Sequence, residues 1–408
     1  MDKISSVQDI RSHFPALNQK VNGKQLVYLD NGATSQKPEV VISLINRMNS
    51  YVNGNIHRAV HELSAQTTVL YEQARESVRG FLNASKREEI IFTSGTTSSI
   101  NLVAAGFAAK YLKKGDAVLI SEAEHHSNIV PWQMACERTG AHLRVIPVDQ
   151  NGCWEMDKLS ELLDSKVKIV SVAHVSNVIG VVNPVKEIIS LAHSMGIPVL
   201  VDGAQGIVHS KVDVQDLDCD FYVFSGHKLF APTGTGILYG KFDLLNDMPP
   251  WMGGGDMVES VSIAKTTYAQ LPLKFEAGTP NFIGIAGLGA AIEFLNTIDF
   301  ESVHNNEKSI VNYLLKELCQ IPGLRVYGVS ENKIPLFSMT IDGVHPTDAA
   351  MIMDKMGVAL RSGLMCSEPL MHRFDTNSML RASFAMYNTV EEAAFFVESL
   401  KRAIKMLS

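Results

Sequence analysis

The chain has 408 residues, 46% hydrophobic and 19% charged, with a formal net charge of −7 and an isoelectric point near 6.0. That length predicts one large and one smaller domain rather than a single core. The mild acidic excess argues against nucleic acid or an anionic membrane as the main partner. Its five cysteines, Cys136, Cys153, Cys219, Cys319 and Cys366, form no CxxC pair, so neither a zinc site nor a disulfide framework is predicted.

The N-terminal stretch "MDKISSVQDIRSHFPALNQ" mixes charges with apolar residues at helical spacing and lacks the apolar core of a signal peptide. No apolar run reaches membrane-spanning length, since "LVAAGFAAKYL" is broken by Lys110. A soluble, cytoplasmic protein is the expectation. From residue 88, short apolar runs alternate with amphipathic stretches, the pattern of an α/β fold with a mostly parallel sheet. Strands are predicted at 88–93, 117–122, 143–148, 167–173, 197–202 and 220–225. Helices are predicted at 98–115, with Gly115 as stop, and at 183–196, with Asn183 as N-cap and Pro184 in the first turn. After about residue 296 the pattern becomes α+β: a helix at 305–321, strands at 324–328 and 336–341, a capped helix at 345–357 and a last helix from Val390 to Leu407. The expected organisation is an N-terminal segment (1–28) packing with the small domain, a large domain (29–296) and a small C-terminal domain (297–408).

In open parallel sheets ligands bind at the carboxyl ends of strands, and the informative residues fall there. "SGTTSS" after the first strand leads into a helix N-terminus, which offers free N–H groups to an anion such as phosphate; plain capping by Ser and Thr is the equal alternative. It is neither a dinucleotide fingerprint nor a Walker A sequence. Asp202 ends the run "IPVLVD", where a carboxylate is costly to desolvate unless a cation or donor meets it. It is either a turn cap or the partner of a protonated heterocycle. In "AEHHSNIVPW" a histidine that acts as acid/base or stacks on an aromatic cofactor is the better functional reading. "YVFSGHKLFAPTGTG" sets Lys228 just past an apolar strand. The lysine either reaches water there or is kept partly desolvated as an amine nucleophile. "ALRSGLMCSEPLM" places Arg361 and Cys366 in one loop predicted to be exposed and unconstrained, and Arg381 follows in "LRASFAMYN"; a cysteine near arginines is a candidate reactive thiol. An anion-cradling turn, a strand-end acid, a histidine and an aminic lysine on successive strands are what a pyridoxal 5′-phosphate (PLP) site requires.

The chain resembles the class V aminotransferase-like cysteine desulfurases, in particular the SufS-type group that also includes selenocysteine lyases. The resemblance runs nearly the whole length, through "YLDNGATSQKP", "NIHRAVHELS", "EHHSNIVPWQ", "HVSNVIG", "VDGAQ", "SGHKLFAPTGTGILYG", "FEAGTPN" and "RASFAMYNT". It implies the fold-type-I architecture of aspartate aminotransferase, a homodimer, and conversion of L-cysteine to L-alanine. It further implies that Lys228 carries PLP, Asp202 meets the ring nitrogen, Gln205 the phenolic oxygen, and His125 the ring face. Thr96, Thr97, Ser225 and His227 hold the phosphate, with Thr279 reaching in from a second subunit. Asn177, Arg361 and Arg381 meet the substrate, and His57 and Arg58 line the entrance. Cys366 takes the sulfur as a persulfide and passes it to an acceptor of the iron–sulfur assembly machinery. Alternatives within the same pocket are a selenocysteine lyase, a cysteine sulfinate desulfinase or a weakly active sulfur-carrier scaffold. Three departures stand out: Ser98-Ser99 replaces the family's Glu-Gly, Leu364-Met365 replaces its His-His, and Thr347 stands where members serving a zinc-containing acceptor carry His.

Overall fold

The computed structural model describes residues 3–57 and 60–407. Its centre is a seven-stranded sheet. In chain order the strands are β1 (Ile90–Thr93), β2 (Ala117–Ser121), β3 (His142–Ile146), β4 (Val167–Ala173), β5 (Val199–Asp202), β6 (Phe221–Ser225) and β7 (Gly236–Gly240). Across the sheet they run β1-β7-β6-β5-β4-β2-β3. β3, β2, β4, β5 and β6 pair in parallel, while β7 is antiparallel to both β6 and β1. The six strands predicted from apolar runs are all present. β7, fully buried, is an addition, because "GILYG" is a short run at the end of a Gly- and Pro-bearing loop. β2, β5, β6 and β7 are buried at every residue, as expected of strands covered on both faces.

Helices cover both faces. α1 (Glu62–Leu82), α2 (Thr96–Tyr111), α3 (Val185–Ser194) and α4 (Phe282–Asn296) belong to this layer. α2 ends four residues before Gly115, its cap N–H at Leu112 returning to Ala108. α3 starts at Val185 with Pro184 as N-cap, so Asn183 is not the cap. Its side chain instead donates to the Ala173 carbonyl (2.8 Å), which ties the α3 entrance to the end of β4.

A second, four-stranded antiparallel sheet is formed by β8 (Leu324–Tyr327), β9 (Leu336–Ile341), β10 (Arg361–Gly363) and β11 (Met379–Ser383), in the order β8-β9-β11-β10. α5 (Phe300–Leu318), α6 (Pro346–Lys355) and α7 (Val390–Leu407) pack on it through Ile310, Leu314, Met353, Phe396 and Leu400. The N-terminal segment divides its packing. Val27 pairs with Val358 and lies in the core of this smaller sheet, whereas Phe14 sits against Phe230, Phe294 and Tyr387. No described helix is long and apolar enough to cross a membrane.

Candidate active site

A cavity of ≈ 250 Å³ opens at the carboxyl ends of the central strands. Five of them deliver a polar residue to it: Thr96 and Thr97 after β1, His125 after β2, Asn177 after β4, Asp202 at the end of β5, and Ser225 and Lys228 at and after β6. The smaller sheet and its loops close the opposite wall with Arg361, Cys366 and Arg381, and Gln205 and His227 complete the lining.

The turn after β1 depends on glycine. Gly95 has φ +152, and a Cβ on Gly236 would lie 2.3 Å from its Cα, so two backbones cross here in direct contact. The Gly95 N-cap makes no side-chain bond to α2. The Thr96 N–H and Thr96 Oγ1 both meet Ser225 Oγ at 2.8 Å, which locks the first turn of a helix whose N-terminal dipole favours an anion.

Lys228 lies in a single turn of 3₁₀ helix directly after β6. Burial pulls its amine down to about 8, against the opposing attraction of Asp202. Among the described residues no carboxylate lies within ion-pair distance of it. The preceding carbonyl, that of His227, is held unusually firmly: Thr34 Oγ1 (3.2 Å), the Ser35 N–H and Oγ (both 3.1 Å) and Lys37 Nζ (3.0 Å) all donate to it. Lys37 was not singled out from the sequence, because nothing local shows that its ammonium turns inward. Burial also lowers Lys37 to about 8 and His227 to about 4.

Asp202 is buried, and its Oδ1 accepts from the Ala204 N–H (2.9 Å). Burial raises this carboxyl above its ordinary value, with Ala204 and Lys228 opposing the rise. His125 is pushed down to about 4, first by burial and then by Lys228. Its Nδ1 accepts the Ser127 N–H (3.0 Å) and lies 2.8 Å from Ser127 Oγ, so the neutral ring carries its proton on Nε2. Beneath it, buried Glu124 accepts from Ser121 Oγ (2.5 Å), Asn128 Nδ2 (2.7 Å) and the Ala173 N–H (3.1 Å), while burial pushes its carboxyl up to about 7. Ser127 and Glu124 escaped sequence reasoning because nothing local shows that these polar side chains turn inward, where both are buried.

Arg381 donates from Nη1 to the Asn177 carbonyl (2.8 Å) and stands 3.6 Å from Asp30. Arg361 holds Asp30 with both Nε (3.2 Å) and Nη2 (2.6 Å). Arg381 Nε is buried with no partner among the described residues. An orphaned guanidinium donor in a polar cavity calls for an anionic guest. With a helix N-terminus, a buried strand-end acid and a half-buried amine that no carboxylate among the described residues meets at ion-pair distance around the same space, the residues present fit PLP together with a substrate carboxylate.

Two expected residues lie elsewhere in the single chain. Thr279 is exposed and His57 lines a separate cleft with Glu72, Arg87 and Leu271. Arg58 falls outside the described residues. Cys366 is exposed, yet its loop is not unconstrained. Asn177 Nδ2 donates to the Met365 carbonyl (2.8 Å), the His126 N–H to the Cys366 carbonyl (2.8 Å), and Ser367 Oγ to the Glu124 carbonyl (2.9 Å).

A mostly parallel seven-stranded sheet with a lysine, an acid and an anion-binding helix start at its carboxyl edge defines a fold-type-I PLP architecture. Residues 27–396 match the Aminotransferase class-V family, and the chain belongs to it. A protein of Cronobacter sakazakii named cysteine desulfurase is 46% identical over 403 residues, spanning 98% of this chain and 99% of that one. One of Synechococcus elongatus is also 46% identical, over 97% of this chain and 63% of its own length. Among solved structures, the cysteine desulfurase CsdA of Escherichia coli superposes with a TM-score of 0.92 at 40% identity, covering 99% of this chain and 100% of its own. The cysteine desulfurase of Thermococcus onnurineus reaches 0.94 at 34% identity, covering all of both chains.

Proposed function

We propose that this chain is a PLP-dependent cysteine desulfurase that converts L-cysteine to L-alanine and keeps the sulfur as a persulfide. The observation that carries the reading is the presence of an exposed cysteine, Cys366, in the same cavity as the partly desolvated Lys228 and the orphaned Nε of Arg381. Bound PLP supplies an electron-accepting ring that labilises bonds at the substrate Cα. Lys228 holds the cofactor and moves the proton at the substrate Cα, and Asp202 keeps a proton on the ring nitrogen. Gln205 and His125 orient the ring, and Thr96, Thr97, Ser225 and His227 hold the phosphate. Arg381 and Asn177 fix the substrate carboxylate, with Arg361 at the mouth. The Cys366 thiolate attacks the substrate sulfur; an S–S bond forms, the C–S bond breaks, and the carbon released takes up a proton to give alanine. Cysteine and enzyme thiol thus become alanine and enzyme persulfide, with no external oxidant.

The same reading extends to a SufS-type enzyme of the cytoplasm working as a homodimer, in which Thr279, His57 and Arg58 serve the second copy's site and a protein of iron–sulfur assembly accepts the sulfur. It also divides the chain into a segment at 1–28, a large domain at 29–296 and a small domain at 297–408; the separate four-stranded sheet supports the last boundary. Selenocysteine and cysteine sulfinate are the competing substrates. Cys366→Ser tests the choice: it binds PLP as wild type does and forms neither persulfide nor alanine from L-cysteine, while substrates whose leaving group departs without thiolate attack still react. Alanine release from L-cysteine at the wild-type rate would make Cys366 a bystander and leave the lyase reading.

A further inference from the structure

We propose that Asn177 is a positioning residue for Cys366: its amide holds the cysteine loop back until the carboxylate of an amino-acid substrate at Arg381 takes that amide over. The proposal rests on the desulfurase reading and deepens it. Asn177 is buried and lines the cavity. Its Nδ2 donates to the Met365 carbonyl at 2.8 Å, linking residues 188 apart in sequence. Its own carbonyl accepts from Arg381 Nη1 at 2.8 Å. One residue therefore touches both the guanidinium that awaits a carboxylate and the peptide that carries the reactive thiol.

The loop conformation needs to be held. Met365 (φ 53°) and Cys366 (φ 54°) are consecutive non-glycine residues in the left-handed region, which L side chains disfavour. Bonds to residues outside the loop maintain it: from Asn177 Nδ2 to the Met365 carbonyl, from the His126 N–H to the Cys366 carbonyl, from Ser367 Oγ to the Glu124 carbonyl, and from the Glu368 N–H to His126 Nε2 (3.2 Å). A carboxylate seated on Arg381 is a stronger acceptor than a peptide carbonyl, because charge-assisted hydrogen bonds are roughly twice as strong as neutral ones. When the amide turns to it, the Met365 carbonyl loses its partner and the strained pair is free to relax. The thiol is then released only after the substrate whose sulfur it must reach is in place.

Hydrogen exchange read by mass spectrometry on the PLP-loaded protein tests this, with L-alanine as the probe and the absorbance of the bound cofactor reporting its binding. In wild type, L-alanine is expected to speed exchange of the Ser367, Glu368 and His126 amides about five-fold, the equivalent of one net hydrogen bond. Asn177→Asp keeps the shape but cannot donate, so these amides exchange about five-fold faster without ligand and L-alanine adds nothing; Asn177→Ser is expected to match it. The amide has a second N–H, so it could serve both acceptors at once. In that case L-alanine leaves the amides protected in wild type, and the proposal is overturned. Wild-type protection in ligand-free Asn177→Asp and Asn177→Ser would overturn it equally. A cofactor spectrum blind to L-alanine would count against the amino-acid reading of Arg381 instead, and the ligand-free variants would still decide the clamp.

Discussion

Lys228 shows how a site residue costs the fold something that its cofactor later repays. Its amine titrates near 8 in the folded chain, because burial opposes the charged form, against about 10.4 for a free lysine. A group whose folded value is depressed contributes stability above its unfolded value and loses it as pH falls through the folded one. In the cofactor-free protein, then, charging Lys228 penalises the fold most below pH 8. Lys228→Met, similar in volume and uncharged, is expected to be more stable than wild type at pH 7 by on the order of 3 kcal/mol. That advantage should fade between about pH 8 and pH 10.5. Urea unfolding of both cofactor-free proteins across this range measures it, and a difference that stays constant with pH would separate the substitution from the titration. Asp202 works in the same sense with the opposite sign: burial raises its carboxyl, so its ionisation weighs on the empty fold as pH rises through the raised value. Both penalties sit where a protonated ring nitrogen and an aldehyde would remove them.

At the scale of elements, the departure at Ser98-Ser99 has a structural use. Ser99 is buried in the first turns of α2, donates to the Ile237 carbonyl of β7 (3.1 Å) and meets Thr93 Oγ1 at the end of β1 (2.8 Å). It bridges the helix to two strands at the point where Gly95 and Gly236 touch. Ser99→Ala should lower stability by about 1 kcal/mol through loss of these bonds. Ser99→Gly, the family's residue, should cost about 1–2 kcal/mol, because glycine adds its poor helix propensity. Both should shift the denaturation midpoint without changing the slope; no shift in either would mean the hydroxyl contacts carry nothing. The same region marks how far the sequence could be read. Strands β1, β2, β5 and β6 were legible as short, mostly apolar runs, and β3 and β4 as β-branched-rich segments in which single polar residues alternate with apolar ones; the residues that follow them announced the cavity. β7 was not, because its run follows directly on a loop rich in turn residues. Asn183 and the Cys366 loop were misjudged for one reason. Local chemistry offered a cap in one case and freedom in the other, while the actual partners are Ala173 at the end of β4 for Asn183, and Asn177, His126 and Glu124 in the turns after β4 and β2 for the Cys366 loop.

For the whole molecule, the informative observation is that two residues expected at the site stand away from their own chain's cavity and share one support. Buried Arg75 pairs with Glu276 through Nη1 (2.8 Å) and Nη2 (2.9 Å) and donates to the Ile90 carbonyl; Glu276 also accepts from the Phe92 N–H and Tyr71 Oη. This pins the segment leading to Thr279 against α1 and β1. Arg75 Nε reaches Glu72 (3.2 Å), which holds His57 Nε2 (3.1 Å). A buried ion pair costs desolvation and is weak evidence of stability for its own sake; here it fixes two surface segments relative to each other. The dimer reading then makes a prediction about complementation. Lys228→Ala chains lack the cofactor lysine and keep Thr279, and Thr279→Ala chains are the reverse. If Thr279 acts across the interface, a mixed dimer contains one complete site, made of Lys228 from one chain and Thr279 from the other. Thr279→Ala alone should bind PLP more weakly, by about ten-fold for one charge-assisted phosphate contact. Refolding it with excess Lys228→Ala should restore wild-type PLP affinity to the intact lysine, seen as slow PLP loss on dilution. If affinity stays at the Thr279→Ala level whatever the mixing ratio, Thr279 does not serve the second copy, and the site is complete within one chain.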